Sequence, residues 1–256
     1  MKLPISVFII AKNEADRIAT TINSVKDWVD EVVVIDSGSN DDTVSVVTFL
    51  GAKILYNEWE GYGLQKRCGE DECKNNWLLN LDADEEISVE LAQEIQALFT
   101  TGEPPLAGYI IKVRDLLPNE KKFALLAHTN HCLRLYNRDN GRFSDSPVHD
   151  SVIMQMGEVV GKLNAPMRHR SFRNISHAIE KMNSYTSAQA TNLQAKNGLA
   201  FAHIRLLFEF PVSFFKAYIL RLYILRGVRG FVYANIYAFS RTMRLAKYLE
   251  IAENKD

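Results

Sequence analysis

The chain has 256 residues, 47% hydrophobic and 24% charged, which suits one large packed domain or a domain with an appendage. Its net charge of −1 argues against a dedicated nucleic-acid binder. The average hides an asymmetry: residues 201–249 hold Arg205, Lys216, Arg221, Arg226, Arg229, Arg241, Arg244 and Lys247 against the single acid Glu209. The three cysteines (Cys68, Cys73, Cys132) form no zinc pattern and suit reduced thiols in a cytoplasmic protein.

The start, MKLPISVFIIAKNE, reads as a first strand and not as a signal peptide, because the apolar run soon meets Lys12 and Glu14 without a cleavage site. No run of apolar residues is long enough to predict a membrane-spanning helix. ISVFII at 5–10 is too uniformly apolar for a one-sided strand and predicts a central strand of a parallel sheet. Asn13 is a candidate cap for a helix with Ile18, Ile22 and Val25 on one face. EVVVI at 31–35 predicts a second buried strand, 43–50 a helix, and AKIL at 52–55 a third strand. WEGYGLQKR enters another helix, WLLNL at 77–81 is a fourth strand, and 88–98 is a helix capped by Ser88. This alternation predicts an α/β fold with a Rossmann-like sheet.

After TGEPP the pattern changes. GYIIKVRD and CLRLYNRD predict a pair of strands, and HAIEKMNSYTSAQATNL a helix. Beyond it Ile204, Leu207, Phe208, Pro211, Phe215, Tyr218, Ile219 and Leu222 recur at helical spacing, and Gly227 and Gly230 break the run before a last helix to Leu249. Phe208, Phe214, Phe215, Tyr218 and Leu222 are candidates for a core face. The same aromatic and basic mixture also suits a helix lying in a membrane interface.

Residues 78–87, LLNLDADEEI, place four carboxylates where a buried strand should end. Ligands of open α/β sheets bind outside the carboxyl ends of strands, where both Asp36 and Asp82 fall. In extended backbone the i, i+2 spacing of Asp82 and Asp84 sets both carboxylates on one side, as two hard donors for Mg²⁺ or Mn²⁺. The alternative is a solvated helix start, which accounts for Glu86. Asp36 in VVVIDSGSNDDT either accepts hydrogen bonds from a nucleobase or ribose, or closes an Asx turn. His128 and His131 lack supporting ligands, so a zinc site is not expected there.

SVFIIAKNEADRI, VVVIDSGSNDDT and LNLDADEEI, in this order, resemble the inverting glycosyltransferases of family 2, which have the GT-A fold. WEGYGLQKR, LRLYNR, GRFSDSPVHD and MRHRSF resemble more narrowly the bacterial subgroup that adds glucose, in β-1,4 linkage, to the lipopolysaccharide inner core. Ser37 departs from the Asp-Asp of many relatives, and Arg67 stands where they often have Asn. The resemblance implies a GT-A mixed sheet flanked by helices, with a basic and aromatic helical extension. It implies a catalytic domain over 1–200, split into a nucleotide-binding half at 1–100 and an acceptor half at 101–200. Residues 201–256 would then dock on a membrane or pair two copies.

It further implies that Ala11, Asn13, Glu14, Asp36, Gln65 and Lys66 line a nucleotide-sugar pocket, with Arg134 as a phosphate contact. Asp82 would meet ribose or metal, Asp84 would be the main ligand of Mg²⁺ or Mn²⁺, and His169, flanked by Arg168 and Arg170, would approach the metal or diphosphate. Inversion needs one carboxylate base, for which Asp150 is the candidate with His149 beside it. The implied donor is UDP-glucose and the implied acceptor a lipid-linked heptose of the lipopolysaccharide core. The implied location is the cytoplasmic face of the inner membrane as a peripheral protein, with a homodimer as a further possibility. Two other readings are a nucleotidyltransferase acting on a sugar phosphate, which lacks its glycine-rich phosphate loop here, and a non-catalytic nucleotide- or glycan-binding protein.

Overall fold

The computed structural model describes residues 2–124, 128–146, 150–192 and 198–254. It divides into two compact units, Met1–Arg114 with Thr129–His169, and Asp115–His128 with Arg170–Asp256.

The first unit begins with strand β1 (Leu3–Ala11), helix α1 (Ile18–Asn23), β2 (Val29–Asp36), α2 (Thr43–Phe49), β3 (Lys53–Tyr56), α3 (Tyr62–Asp71) and β4 (Trp77–Asp82). A two-residue β5 (Glu85–Glu86), α4 (Val89–Leu98), β6 (Gly108–Asp115), β7 (Thr129–Asn137), β8 (Gly141–Phe143), β9 (Val152–Met154) and β10 (Val160–His169) follow. Eight strands form one sheet in the order β3-β2-β1-β4-β7-β6-β10-β5, and β8 and β9 make a separate ribbon. Strands β3, β2, β1 and β4 run parallel. From β4 outward the sense reverses, since β7 is antiparallel to both β4 and β6. The mixed sheet flanked by helices answers to the GT-A expectation.

Alternation along β1 explains why both sheet faces are covered. Ile5, Val7 and Ile9 join a cluster with Ile18, Ile22, Leu91 and Ile95. Phe8 points the other way, to Val33, Leu78, Tyr136 and Phe143. On that second face α3 lies close to β1: a Cβ at Gly69 would come within 2.7 Å of the Phe8 ring. Gly63, near the start of α3, donates its N–H to the Ser146 carbonyl at 3.1 Å. A Cβ there would stand 2.2 Å from the Ser144 carbonyl oxygen, so only glycine admits this contact.

Glu70 of α3 is buried beside the second cluster. Its Oε1 accepts from the Tyr136 hydroxyl at 2.5 Å and the Phe143 N–H at 3.0 Å, and its Oε2 faces Arg142 Nε at 3.3 Å. Burial raises its carboxyl above the ordinary value despite these donors.

The second unit contains α5 (Ile175–Asn192), α6 (Gly198–Phe215), a π-helical turn at Lys216–Leu220, a 3₁₀ turn at Tyr223–Arg226 and α7 (Gly227–Glu253). Its apolar clusters are small, with Leu117, Ala178 and Tyr233 in one and Ala202, Leu245 and Leu249 in another. Among the described residues no helix is long and apolar enough to cross a membrane.

Two local expectations change. Asn13 does not occupy the cap position of α1, which starts only at Ile18 with Arg17 preceding it. Gly230 does not break the last helix but lies inside α7, where a Cβ would meet the Tyr223 carbonyl oxygen at 1.8 Å. The break comes earlier, at Leu222 and Gly227, both with positive φ.

Two outcomes are expected. Gly63→Ala should lower the melting temperature strongly, by the equivalent of about 3 kcal/mol or more, since backbone must move; a variant melting with the parent would show that the contact is dispensable. For Glu70, the unfolded chain titrates near 4.5 and the native carboxyl keeps its proton to higher pH. The native state therefore binds more protons above that value, and its stability falls as pH rises through the native value. Glu70→Gln keeps an acceptor for Tyr136 and Phe143, so melting curves taken from about pH 4 to 8 should show the variant gaining on the parent as pH rises. Parallel curves would contradict the assignment.

Candidate functional site

Apart from Arg170, the described candidate residues lie in the first unit, around the carboxyl ends of its parallel strands. Register places Ala11 opposite Asp36 and Ile10 opposite Asp82, so β2 and β4 deliver their terminal carboxylates on either side of β1. Strand order reverses between β1 and β4, which makes this a topological switch point.

The loops after β1 and β2 are zipped together. Asn13 adopts φ 57°, a left-handed conformation that asparagine tolerates. Its N–H donates to Ser39 Oγ at 2.8 Å, and its Oδ1 accepts from the Asn40 N–H at 2.9 Å. The Glu14 N–H donates to Thr43 Oγ1 at 2.8 Å, and the Ala15 N–H to Asp41 Oδ2 at 3.2 Å. Burial alone would raise the Asp41 carboxyl, but donors from Thr43 and Ala15 hold it below its ordinary value. Asp36 is buried, and its Oδ2 accepts the N–H groups of Gly38 and Ser39 at 3.0 and 2.9 Å. Its carboxylate thus closes an Asx turn. Ser37 ties the Ala11 carbonyl through its N–H and hydroxyl.

The acidic stretch at 82–86 draws cations from the chain itself. Strand β4 ends at Asp82, and Ala83 and Asp84 form a turn, so the two aspartates do not share the parity expected of an extended strand. The Thr21 hydroxyl, donating to the Ala83 carbonyl at 2.9 Å, holds that turn from α1. Asp82 meets Lys66 Nζ at 3.0 Å through Oδ1 and Arg134 Nη2 at 2.9 Å through Oδ2. Arg134 also donates to Glu85 Oε1 at 2.6 Å and to Asn80 Oδ1. Burial works against the Asp82 charge, yet Arg134 and Lys66 hold its carboxyl well below the usual range. Glu85 is fully buried, and burial with the nearby Asp82 charge raises its carboxyl instead. Arg134, although desolvated, is held charged by both acids.

Asp84 faces His169 Nε2 at 3.5 Å through Oδ1 and Arg17 Nη1 at 3.6 Å through Oδ2. His169 arrives there because β10 pairs with β5, setting His169 opposite Glu85 and Arg168 opposite Glu86. Glu86 meets Arg168 Nη1 at 2.6 Å, which corrects its reading as a helix-start charge; Glu90 is the acid in the first turn of α4. Arg170 turns to the Glu120 carbonyl at 3.0 Å.

Lys66 is buried, and its ammonium joins two acids from distant segments: Asp82 at 3.0 Å and Asp150 Oδ2 at 2.5 Å. The Phe143 ring lies 5.2 Å from it. Gln65 is also buried and accepts from Asn57 Nδ2 at 2.8 Å. Arg67 donates to the Phe143 carbonyl at 2.7 Å, on the segment that leads toward Asp150. His149 lies outside the described residues.

Asp84 and His169 together offer one carboxylate and one imidazole, a partial shell for a divalent cation. Among the described residues no cluster of three or more metal-ligating side chains occurs, and Asp82 is turned to Lys66 and Arg134. Sequence reasoning did not single out Arg17 or Asn80. The Glu14–Arg17 spacing in KNEADR and the lone amide within LLNLD were the available signals.

A family model described as "Glycosyl transferase family 2" matches residues 6–163. An uncharacterized glycosyltransferase of Rickettsia felis is 44% identical over 254 residues, covering 96% of this chain and 89% of its own. The lipopolysaccharide core biosynthesis glycosyltransferase LpsC of Rhizobium meliloti is 28% identical over 247 residues, covering 93% and 90%. The solved glucosyl-3-phosphoglycerate synthase from Mycobacterium tuberculosis, in complex with Mn²⁺, uridine diphosphate and glucosyl-3-phosphoglycerate, is 25% identical with a TM-score of 0.34, covering 45% of this chain and 44% of its own. The family model spans more than half of the chain, and the Rickettsia relative nearly all of it. The chain therefore belongs to glycosyltransferase family 2 and is a glycosyltransferase.

Proposed function

We propose that this glycosyltransferase moves a hexose, glucose from UDP-glucose, with inversion onto a heptose hydroxyl of the lipopolysaccharide inner core, at the cytoplasmic face of the inner membrane. The observation that carries the reading is Lys66, whose ammonium joins Asp82 at the donor end of the sheet to Asp150. The motif resemblance supports the donor and linkage, and the likeness to LpsC supports the acceptor class.

Each residue then has a part. Ala11, Asn13, Glu14 and the Asp36 turn form a preset wall for the nucleotide. Asp84 and His169 would hold Mg²⁺ or Mn²⁺, which, when bound, would offset negative charge on the departing nucleoside diphosphate. Their donor types, one hard oxygen and one imidazole, fit such an ion with the remaining positions left to diphosphate oxygens and water. Asp82 stays with Lys66 and Arg134 and would meet the ribose or the ion. Arg134 sets the position of Asp82 and Glu85, and only through them affects phosphate. Asp150 takes the proton from the attacking hydroxyl: Lys66 occupies Oδ2, and Oδ1 has no hydrogen-bond partner among the described residues. His149, next in sequence, orients the acceptor. Gln65 fixes the loop through Asn57 behind the donor.

The test is a screen of purified protein against nucleotide sugars with Mn²⁺ or Mg²⁺ and an inner-core heptose acceptor. UDP-glucose should be turned over; preference for a GDP-sugar would overturn the donor assignment, and binding without turnover would favour a non-catalytic role. Asp150→Asn should cut kcat by about 10²–10⁴-fold while leaving donor affinity within a few-fold. An unimpaired variant would remove Asp150 as the base. Asp84→Ala should abolish the metal dependence of donor binding, read by calorimetry with and without Mn²⁺. Unchanged metal dependence would place the ion elsewhere.

A further inference from the structure

Helix α6 is built inside out. A surface helix of a water-soluble protein turns its large apolar residues to the core and its polar residues outward. Here the deeply buried positions are Ala202 (3% exposed), Glu209 (8%), Ser213 (6%) and Ala217 (0%), the last in the π-turn that continues the helix, with Leu206 and Phe214 half-buried beside them. The outward stripe is Ile204, Leu207 (75% exposed), Phe208 (61%), Val212 (63%) and Phe215 (56%). It continues past the helix end through exposed Leu220, Leu225 and Val228. Phe208 and Phe215 are therefore not the core face that their spacing allowed. Small inward residues permit close helix contact, the arrangement used where lipid covers the other side.

Charge selects the occupant. Between residues 202 and 231 the only carboxylate is Glu209, buried and paired with Arg205 at 2.8 Å and Arg241 at 3.3 Å. Lys216 and Arg229 are exposed beside the stripe, with no exposed acid in this segment. A second copy meeting this face about a two-fold axis would bring the same cations together unopposed. Anionic lipid headgroups complement them, at about 1 kcal/mol per cation near the surface. With 18 residues and no crossing helix, α6 is suited to lie in the plane of the interface.

We propose that the outward stripe of α6, from Ile204 to Phe215 and on to Leu220, docks this chain on an anionic membrane surface with Lys216 and Arg229 at the headgroups. The proposal is independent of the donor and acceptor assignment. The full chain should co-sediment with phosphatidylcholine vesicles containing phosphatidylglycerol, far less with phosphatidylcholine alone, and lose about tenfold in partitioning when salt is raised. The double change Leu207→Ser with Phe208→Ser should weaken binding about tenfold or more at an unchanged melting temperature. Lys216→Glu should weaken binding to the anionic vesicles selectively. Should the double variant fail to fold, Phe208→Trp gives the second reading, quenched by brominated lipid if the proposal holds. No partitioning at low salt, an unquenched tryptophan, or a dimer in sedimentation that the double change dissolves would each overturn it.

Discussion

The first unit is organised around a charge balance at the carboxyl end of β4. Asp82 and Glu85 stand within a few residues of each other, and Glu85 is wholly out of water. Such a pair is tolerable only with cations in hydrogen-bonding geometry, and removing one partner of a buried set typically costs about 3–5 kcal/mol. For this pair the protein supplies Lys66 from α3 and Arg134 from β7, while Arg17 from the turn before α1 faces Asp84 and Arg168 from β10 meets Glu86. The acidic turn therefore does not wait for a metal to become stable. Its four carboxylates are already countered, and Asp84 differs from the others in facing a histidine together with an arginine shared with Glu14.

This arrangement also explains why the antiparallel part of the sheet matters to a site at the parallel part. β7 pairs directly with β4 and carries Arg134; β10 pairs with β5 and carries Arg168 and His169. The two halves share one electrostatic centre, so neither can be completed without the other. Asp150 joins them through Lys66, across 84 positions of sequence.

Much of this was legible in the residues. The runs ISVFII, EVVVI and WLLNL announced buried parallel strands, and Asp36 and Asp82 fell at their ends as expected. Ser88 caps α4 by accepting the Leu91 N–H. β10 was not legible, since VGKLNAPMRH has neither alternation nor a continuous apolar run, and only Leu163 and Met167 are deeply buried. β5 exists only by pairing with it. Side-chain partners were the other blind spot. Spacing located the acids and cations, but their matching depends on strand order, which local pattern does not encode. The α6 stripe left two readings open for a simpler reason: helical periodicity reveals that a face is apolar and not what lies against it.

The interlock between the segments after β1 and β2 has a consequence for redesign. Asn13, Glu14 and Ala15 are each bonded to a residue between 39 and 43. Neither segment can be transplanted from a homologue alone without orphaning polar groups in the other. Shuffling experiments that alter donor choice in this scaffold would have to move 12–17 and 36–43 as one cassette.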